Sequence, residues 1–95
     1  MIMNRSTHGT NPVQRAVQAA EGWLALGVAE AAHEELAALE LTSQTNPAVL
    51  HQQARVLVAL GRIEEAKEAV RRLARLAPAW RLALLDDPAL EPVWM

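Results

Sequence analysis

Residues 47–78, Pro47-Ala-Val-Leu-His-Gln-Gln-Ala-Arg-Val-Leu-Val-Ala-Leu-Gly-Arg-Ile-Glu-Glu-Ala-Lys-Glu-Ala-Val-Arg-Arg-Leu-Ala-Arg-Leu-Ala-Pro78, contain two helical periods joined at a glycine. Asn46 precedes Pro47, and a capping side chain followed by a proline is a helix start signal, because the first N–H groups of a helix have no partner within it. Leu50, Ala54, Leu57 and Val58 draw the first apolar face, which ends at Gly61. Ile63, Ala66, Val70, Leu73 and Ala77 then recur at spacings of three and four, and Pro78 stops the run. This stretch predicts a helical hairpin.

Working back from it, Asn11-Pro12 is a second start signal. Val13, Ala16, Val17, Ala20, Trp23 and Leu24 follow at helical spacing, and Gly27 breaks the run. Ala29, Ala32, Leu36 and Leu39 form another period, which fades into the polar segment Thr42-Ser43-Gln44-Thr45, read as a loop. Past Pro78 comes a shorter apolar stretch from Ala79 to Leu85. Asp87-Pro88 then marks one more cap and a final turn ending near Trp94. Residues 1–11 show no apolar period and read as a flexible arm, leaving 12–95 as a single domain.

Composition agrees with helices. Of 95 residues 52% are hydrophobic but only 3% aromatic, and 19 are Ala and 14 Leu against eight Val and two Ile. Ala and Leu favour helices, whereas strands draw on β-branched and aromatic side chains. The absence of Cys excludes disulfides, Cys-ligated zinc and thiol nucleophiles. The arm lacks the apolar core of a secretory signal, and no stretch is long and apolar enough to span a membrane, so a cytoplasmic location is expected.

The two hairpins match at an offset of 34 residues. That offset pairs Gly27 with Gly61, Ala20 with Ala54, Trp23 with Leu57, Leu26 with Leu60, Ala32 with Ala66, Leu36 with Val70 and Leu39 with Leu73. A unit repeated at this length buries its apolar face against its neighbour. On these residues the chain resembles the tetratricopeptide repeat family. Leu50 stands at the family's usual Trp position, Ala54 at its small helix-contact position, Leu57 and Ile63 at its two Tyr positions, and Gly61 at the interhelix turn. Ala66-x3-Val70 is similar to its Ala-x3-aromatic step, and Pro78 to its closing proline. Residues 13–46 look like a weaker copy, with Gln44 where proline is usual, and Gln53 and Leu73 also depart from the pattern. The literal match of Trp23-x2-Leu26-Gly27 to the opening motif is in the wrong phase, since it would run a helix through Thr42, Ser43, Thr45 and Asn46.

The resemblance implies an all-α helical-hairpin solenoid with repeats at about 13–46 and 47–80 and a capping segment at 81–95. It also implies a concave groove lined by the first helix of each repeat. Carried over by repeat position, the groove residues are Val17, Glu21, Leu24, Ala25, His51, Arg55, Val58 and Ala59, with Arg55 placed to receive a carboxylate. The family's Lys/Asn clamp for C-terminal carboxylates is missing, so recognition of chaperone C-termini is not implied.

Catalytic and metal chemistry is not expected. His33-Glu34 begins like a zinc-protease motif, but Ala37 stands where the second His should be. There is no Gly-rich phosphate loop or hydrolase elbow, and the acidic pairs Glu34/Glu35, Glu64/Glu65 and Asp86/Asp87 read as solvated faces. The net charge of −2 and the few aromatics argue against nucleic acid as a partner. Residues 1–46 carry two basic and five acidic side chains (−3), and residues 47–95 seven basic and six acidic (+1). Glu64, Glu65 and Glu68 early and Arg71, Arg72 and Arg75 late suit the helix macrodipole and space Glu68 and Arg72 for an ion pair. The pattern reads first as a solvated helix, the alternative being a Lys67, Arg71 and Arg75 stripe facing an acidic partner. Trp23 is expected between helices, and Trp80 and Trp94 either to cap the final hairpin or to mark a contact surface. The function expected is a non-catalytic adaptor, without cofactor or metal, that binds a peptide or helix of another protein. The alternative is a structural protein that self-associates or stacks end to end.

Overall fold

Side chains close the helix starts that the sequence marks. In the computed structural model, which describes residues 11–95, Asn11 Oδ1 accepts from the Gln14 amide at 2.7 Å and opens α1 (Pro12–Ala25). Asn46 Oδ1 accepts from the Ala48 amide at 2.9 Å and opens α3 (Pro47–Ala59). Each pairing satisfies an amide that the helix leaves without a partner. α2 (Ala29–Ala37), α4 (Ile63–Leu76) and α5 (Arg81–Asp86) complete the helices, with 3₁₀ turns at Leu41–Thr45, Pro78–Trp80 and Pro88–Trp94. Among the described residues there is no strand. Among these residues no helix is long and apolar enough to cross a membrane. Residues 1–10, the bulk of the expected arm, lie outside the described residues.

The turns joining α1 to α2 and α3 to α4 share one geometry. Gly27 and Gly61 both have φ +80°, a left-handed conformation open to glycine without steric penalty. The Val28 amide donates to Trp23 O at 2.9 Å and the Gly27 amide to Leu24 O at 3.0 Å. Thirty-four residues on, Arg62 donates to Leu57 O at 2.8 Å and Gly61 to Val58 O at 2.9 Å. These nested bonds close the last carbonyls of α1 and α3 in a Schellman turn. α1 packs on α2, α3 on α4, and α3 also meets both α1 and α2.

Alanine lets these helices approach closely. Ala20, Ala32, Ala54 and Ala66, two pairs at the 34-residue offset, are all completely buried. The core has two parts. Ala16, Ala20, Ala32, Leu36, Val49 and Val56 fill the first, and Leu50, Ala54, Ala66, Val70, Leu73, Leu84, Leu90 and Val93 form most of the second. α3 contributes to both, so it is buried on two sides, and the single stripe read from its sequence omits Val49 and Val56. The C-terminal segment supplies Leu84, Leu90 and Val93 to the second part, closing it over α3 and α4.

The segment read as a polar loop is the 3₁₀ turn Leu41–Thr45, and its Gln44 has a structural task. Gln44 Nε2 donates to the carbonyls of Leu36 and Leu39 at 3.0 and 3.1 Å, satisfying the end of α2, and Gln44 Oε1 accepts from Gln53 Nε2. Gln44 and Gln53 are two of the departures from the repeat pattern, and they are partners of each other.

Three surface expectations need correcting. Glu68 does not pair with Arg72: it meets Arg71 at 3.0 Å and Arg75 at 3.9 Å. Lys67 pairs with Glu64 at 3.3 Å, so the cations of the proposed basic stripe all have acidic neighbours on their own helix. Trp23 is not enclosed between helices; it is exposed, and its Nε1 donates to Glu35 Oε2 at 3.1 Å.

Candidate functional site

α1 and α3 lie side by side, which brings their surface residues into one shallow groove. Glu21, Leu24 and Ala25 of α1 and Arg55, Val58 and Ala59 of α3 line it, with Ala89 of the C-terminal segment, around a volume of about 600 Å³. These are six of the eight positions carried over from the repeat pattern. The other two lie elsewhere. Val17 borders a separate depression of about 680 Å³ at the start of α1, and His51 sits one turn before Arg55, facing the C-terminal segment.

His51 and Arg55 converge on one acid. His51 Nε2 lies 2.6 Å from Asp87 Oδ2, and Arg55 Nε lies 3.3 Å from the same oxygen. Asp87 Oδ1 accepts from the Ala89 amide at 2.9 Å and so caps the turn Pro88–Trp94. The Asp87 side chain is only 11% exposed, which overturns the reading of Asp86/Asp87 as a solvated pair. The Arg55 approach is that of opposite charges rather than an aligned hydrogen bond, since its buried Nε has no hydrogen-bond acceptor. Trp80 stands edge-on to the His51 ring at 5.7 Å, with its own ring half-buried against the second part of the core.

The polar chain extends to α1 through Gln52, a polar side chain that is 3% exposed. Gln52 lies three residues after Val49 and four before Val56, on the α3 face turned toward the first hairpin. Its Nε2 donates to Glu21 Oε2 at 3.2 Å, and its Oε1 accepts from Arg55 Nη1 at 3.4 Å. Glu21, Gln52, Arg55, Asp87 and His51 therefore form one path from α1 through α3 to the C-terminal segment. A glutamine in an apolar row was the available sequence signal for Gln52. Nothing local to Asp87 announces its partners, which lie 36 and 32 positions away.

The chemistry of the cluster follows from its members. A metal needs three or four ligands, whereas here the third group beside His51 and Asp87 is the cation Arg55. Among the described residues no group of three His, Cys, Asp or Glu side chains could hold a metal ion. Among the described residues the side-chain hydrogen-bond partner of His51 is Asp87. Buried charges joined in this way hold elements together. The groove itself offers an apolar floor with Glu21 as its acid, because the carboxylate beside Arg55 is the chain's own. Comparison of the chain with protein-family models, with curated proteins and with solved structures finds no match.

Proposed function

We propose that the chain is a two-repeat helical solenoid of the tetratricopeptide type and a non-catalytic interaction module, binding a helix or peptide of another protein in the α1–α3 groove. The observation carrying this reading is the groove itself: Leu24, Ala25, Val58 and Ala59 form its floor, from the positions that repeat equivalence selects. Support for the solenoid comes from the two Schellman turns 34 residues apart and from the buried alanine pairs at the same offset. The partner's chemistry follows from the lining. Apolar side chains at helical spacing suit the floor, and a Lys or Arg on the partner suits Glu21. A partner carboxylate would have to displace Asp87 from Arg55.

Ala25 and Ala59 are exposed groove residues, so Ala25→Glu/Ala59→Glu fills the groove with bulk and charge without touching the core. Proteins captured by the tagged native chain are expected to be lost from this variant and retained by Glu64→Lys on the far helix. An unchanged set of captured proteins removes the groove from consideration.

A further inference from the structure

Glu21 and Arg55 carry opposite charges on the two helices that line the groove, yet they do not pair. Arg55 meets Asp87 at 3.3 Å, and Glu21 forms no salt bridge among the described residues. Gln52 intervenes. At 3% exposure it is the most deeply buried polar residue among those described. The two ends of its amide face these two neighbours: Nε2 donates to the Glu21 carboxylate at 3.2 Å, and Oε1 accepts from the Arg55 guanidinium at 3.4 Å.

The neighbours dictate that orientation, since a carboxylate only accepts and a guanidinium only donates. A buried amide that loses its partners is costly, so Gln52 in turn holds both charged groups where they stand. An apolar side chain at this position would leave Glu21 and Arg55 free to close on each other. Their charges would then cancel within the groove.

We propose that Gln52 sets the charge preference of the groove, keeping Glu21 available to a cation of the partner and Arg55 turned toward Asp87. The inference rests on the reading of the groove as a binding site, and it commits that site to one occupant: a helix carrying Lys or Arg beside its apolar row. Charge complementarity selects it. Arg55 is matched by Asp87, so the charge that the groove presents is the Glu21 carboxylate, held by a neutral amide. A partner cation is attracted there, whereas a partner carboxylate meets Glu21 and finds Arg55 already paired.

Two synthetic helical peptides test it, both with Leu at spacings of three and four, one with Lys and the other with Glu at the flanking positions. Binding is followed by amide NMR shifts at Leu24, Ala25, Val58 and Ala59. The native chain is expected to bind the Lys peptide about fivefold more tightly than the Glu peptide, the scale of a solvent-accessible charge pair. Gln52→Met keeps an unbranched side chain and the net charge, and is expected to bring that ratio toward one. Glu21→Gln, at an exposed position, is expected to do the same. In the native chain the Gln52 side-chain amide signal should also move with the Lys peptide. A signal that stays still overturns the role of Gln52, even if Gln52→Met loses its fold. Equal binding of the two peptides, a preference for the Glu peptide, or a ratio that only one of the two substitutions lowers overturns it too, while leaving the groove reading in place. If neither peptide shifts the groove amides, the groove reading itself falls and this inference falls with it.

Discussion

His51 Nε2 and Asp87 Oδ2 meet at 2.6 Å and join the middle helix of the chain to its C-terminal segment. Asp87 has two tasks, because its other oxygen caps the turn that carries Leu90 and Val93 into the core. Asp87→Ala removes both and leaves the Arg55 charge without its partner. We expect a loss of about 1–3 kcal/mol, the scale for orphaning a buried polar group. Asp87→Asn, which retains a capping oxygen, is expected to lose less. Urea denaturation reads this as a lower midpoint with an unchanged slope.

Two glycines respond to the same substitution with opposite signs. Gly61→Ala forces a side chain into φ +80° and is expected to destabilise by about 1–2 kcal/mol. Gly22 lies inside α1, and a Cβ there would meet nothing within 4 Å. Gly22→Ala is therefore expected to stabilise by roughly 0.5–1 kcal/mol through the entropy that glycine loses in a helix. Thermal unfolding followed by circular dichroism distinguishes the two.

Leu73 is completely buried in the second part of the core, on the stripe that defines α4. Leu73→Ala is expected to cost about 2–5 kcal/mol from lost burial and the cavity left behind. Domains have about 5–15 kcal/mol of stability in total, so the melting temperature of this variant should fall steeply. Leu41→Ala, at a side chain 88% exposed, is the control and should melt like the native chain.

The Arg62 guanidinium donates to both oxygens of Glu65, at 2.8 and 2.7 Å, just past the turn at Gly61. These hydrogen bonds, with a smaller contribution from opposite charge, hold the Glu65 carboxyl below its ordinary range. A depressed carboxyl stabilises the fold above its unfolded-state value, and that contribution fades as pH falls through the folded-state value. Arg62→Gln is expected to raise the Glu65 titration midpoint, measured by carboxyl carbon NMR. Because both side chains are exposed to solvent, the effect on stability should be small and should shrink further with salt.

The parts of the fold legible in the sequence are those set by local chemistry. Asn11, Asn46 and Asp87 cap where a short polar side chain precedes a proline, and Gly27 and Gly61 turn the chain where the helical periods end. The α4 stripe was plain because that helix buries one face. α3 was harder, since a helix buried on two sides has two apolar rows and no clean contrast between them. The groove positions followed from repeat equivalence, but their state did not. Whether Arg55 is free or paired depends on a residue 32 positions away.

Local preference alone therefore determined that this chain is helical, where its helices begin, and that two glycine turns stand 34 residues apart. Tertiary structure decided what those helices enclose. It set Asp87 against His51 and Arg55, matched Gln44 with Gln53, and left Leu26 and Leu85 exposed at the ends. Caps, turns and periodicity act within one turn of a helix and are written in adjacent residues. Ion pairs, buried amides and uncovered apolar edges depend on which distant segments arrive beside them, and packing alone decides that.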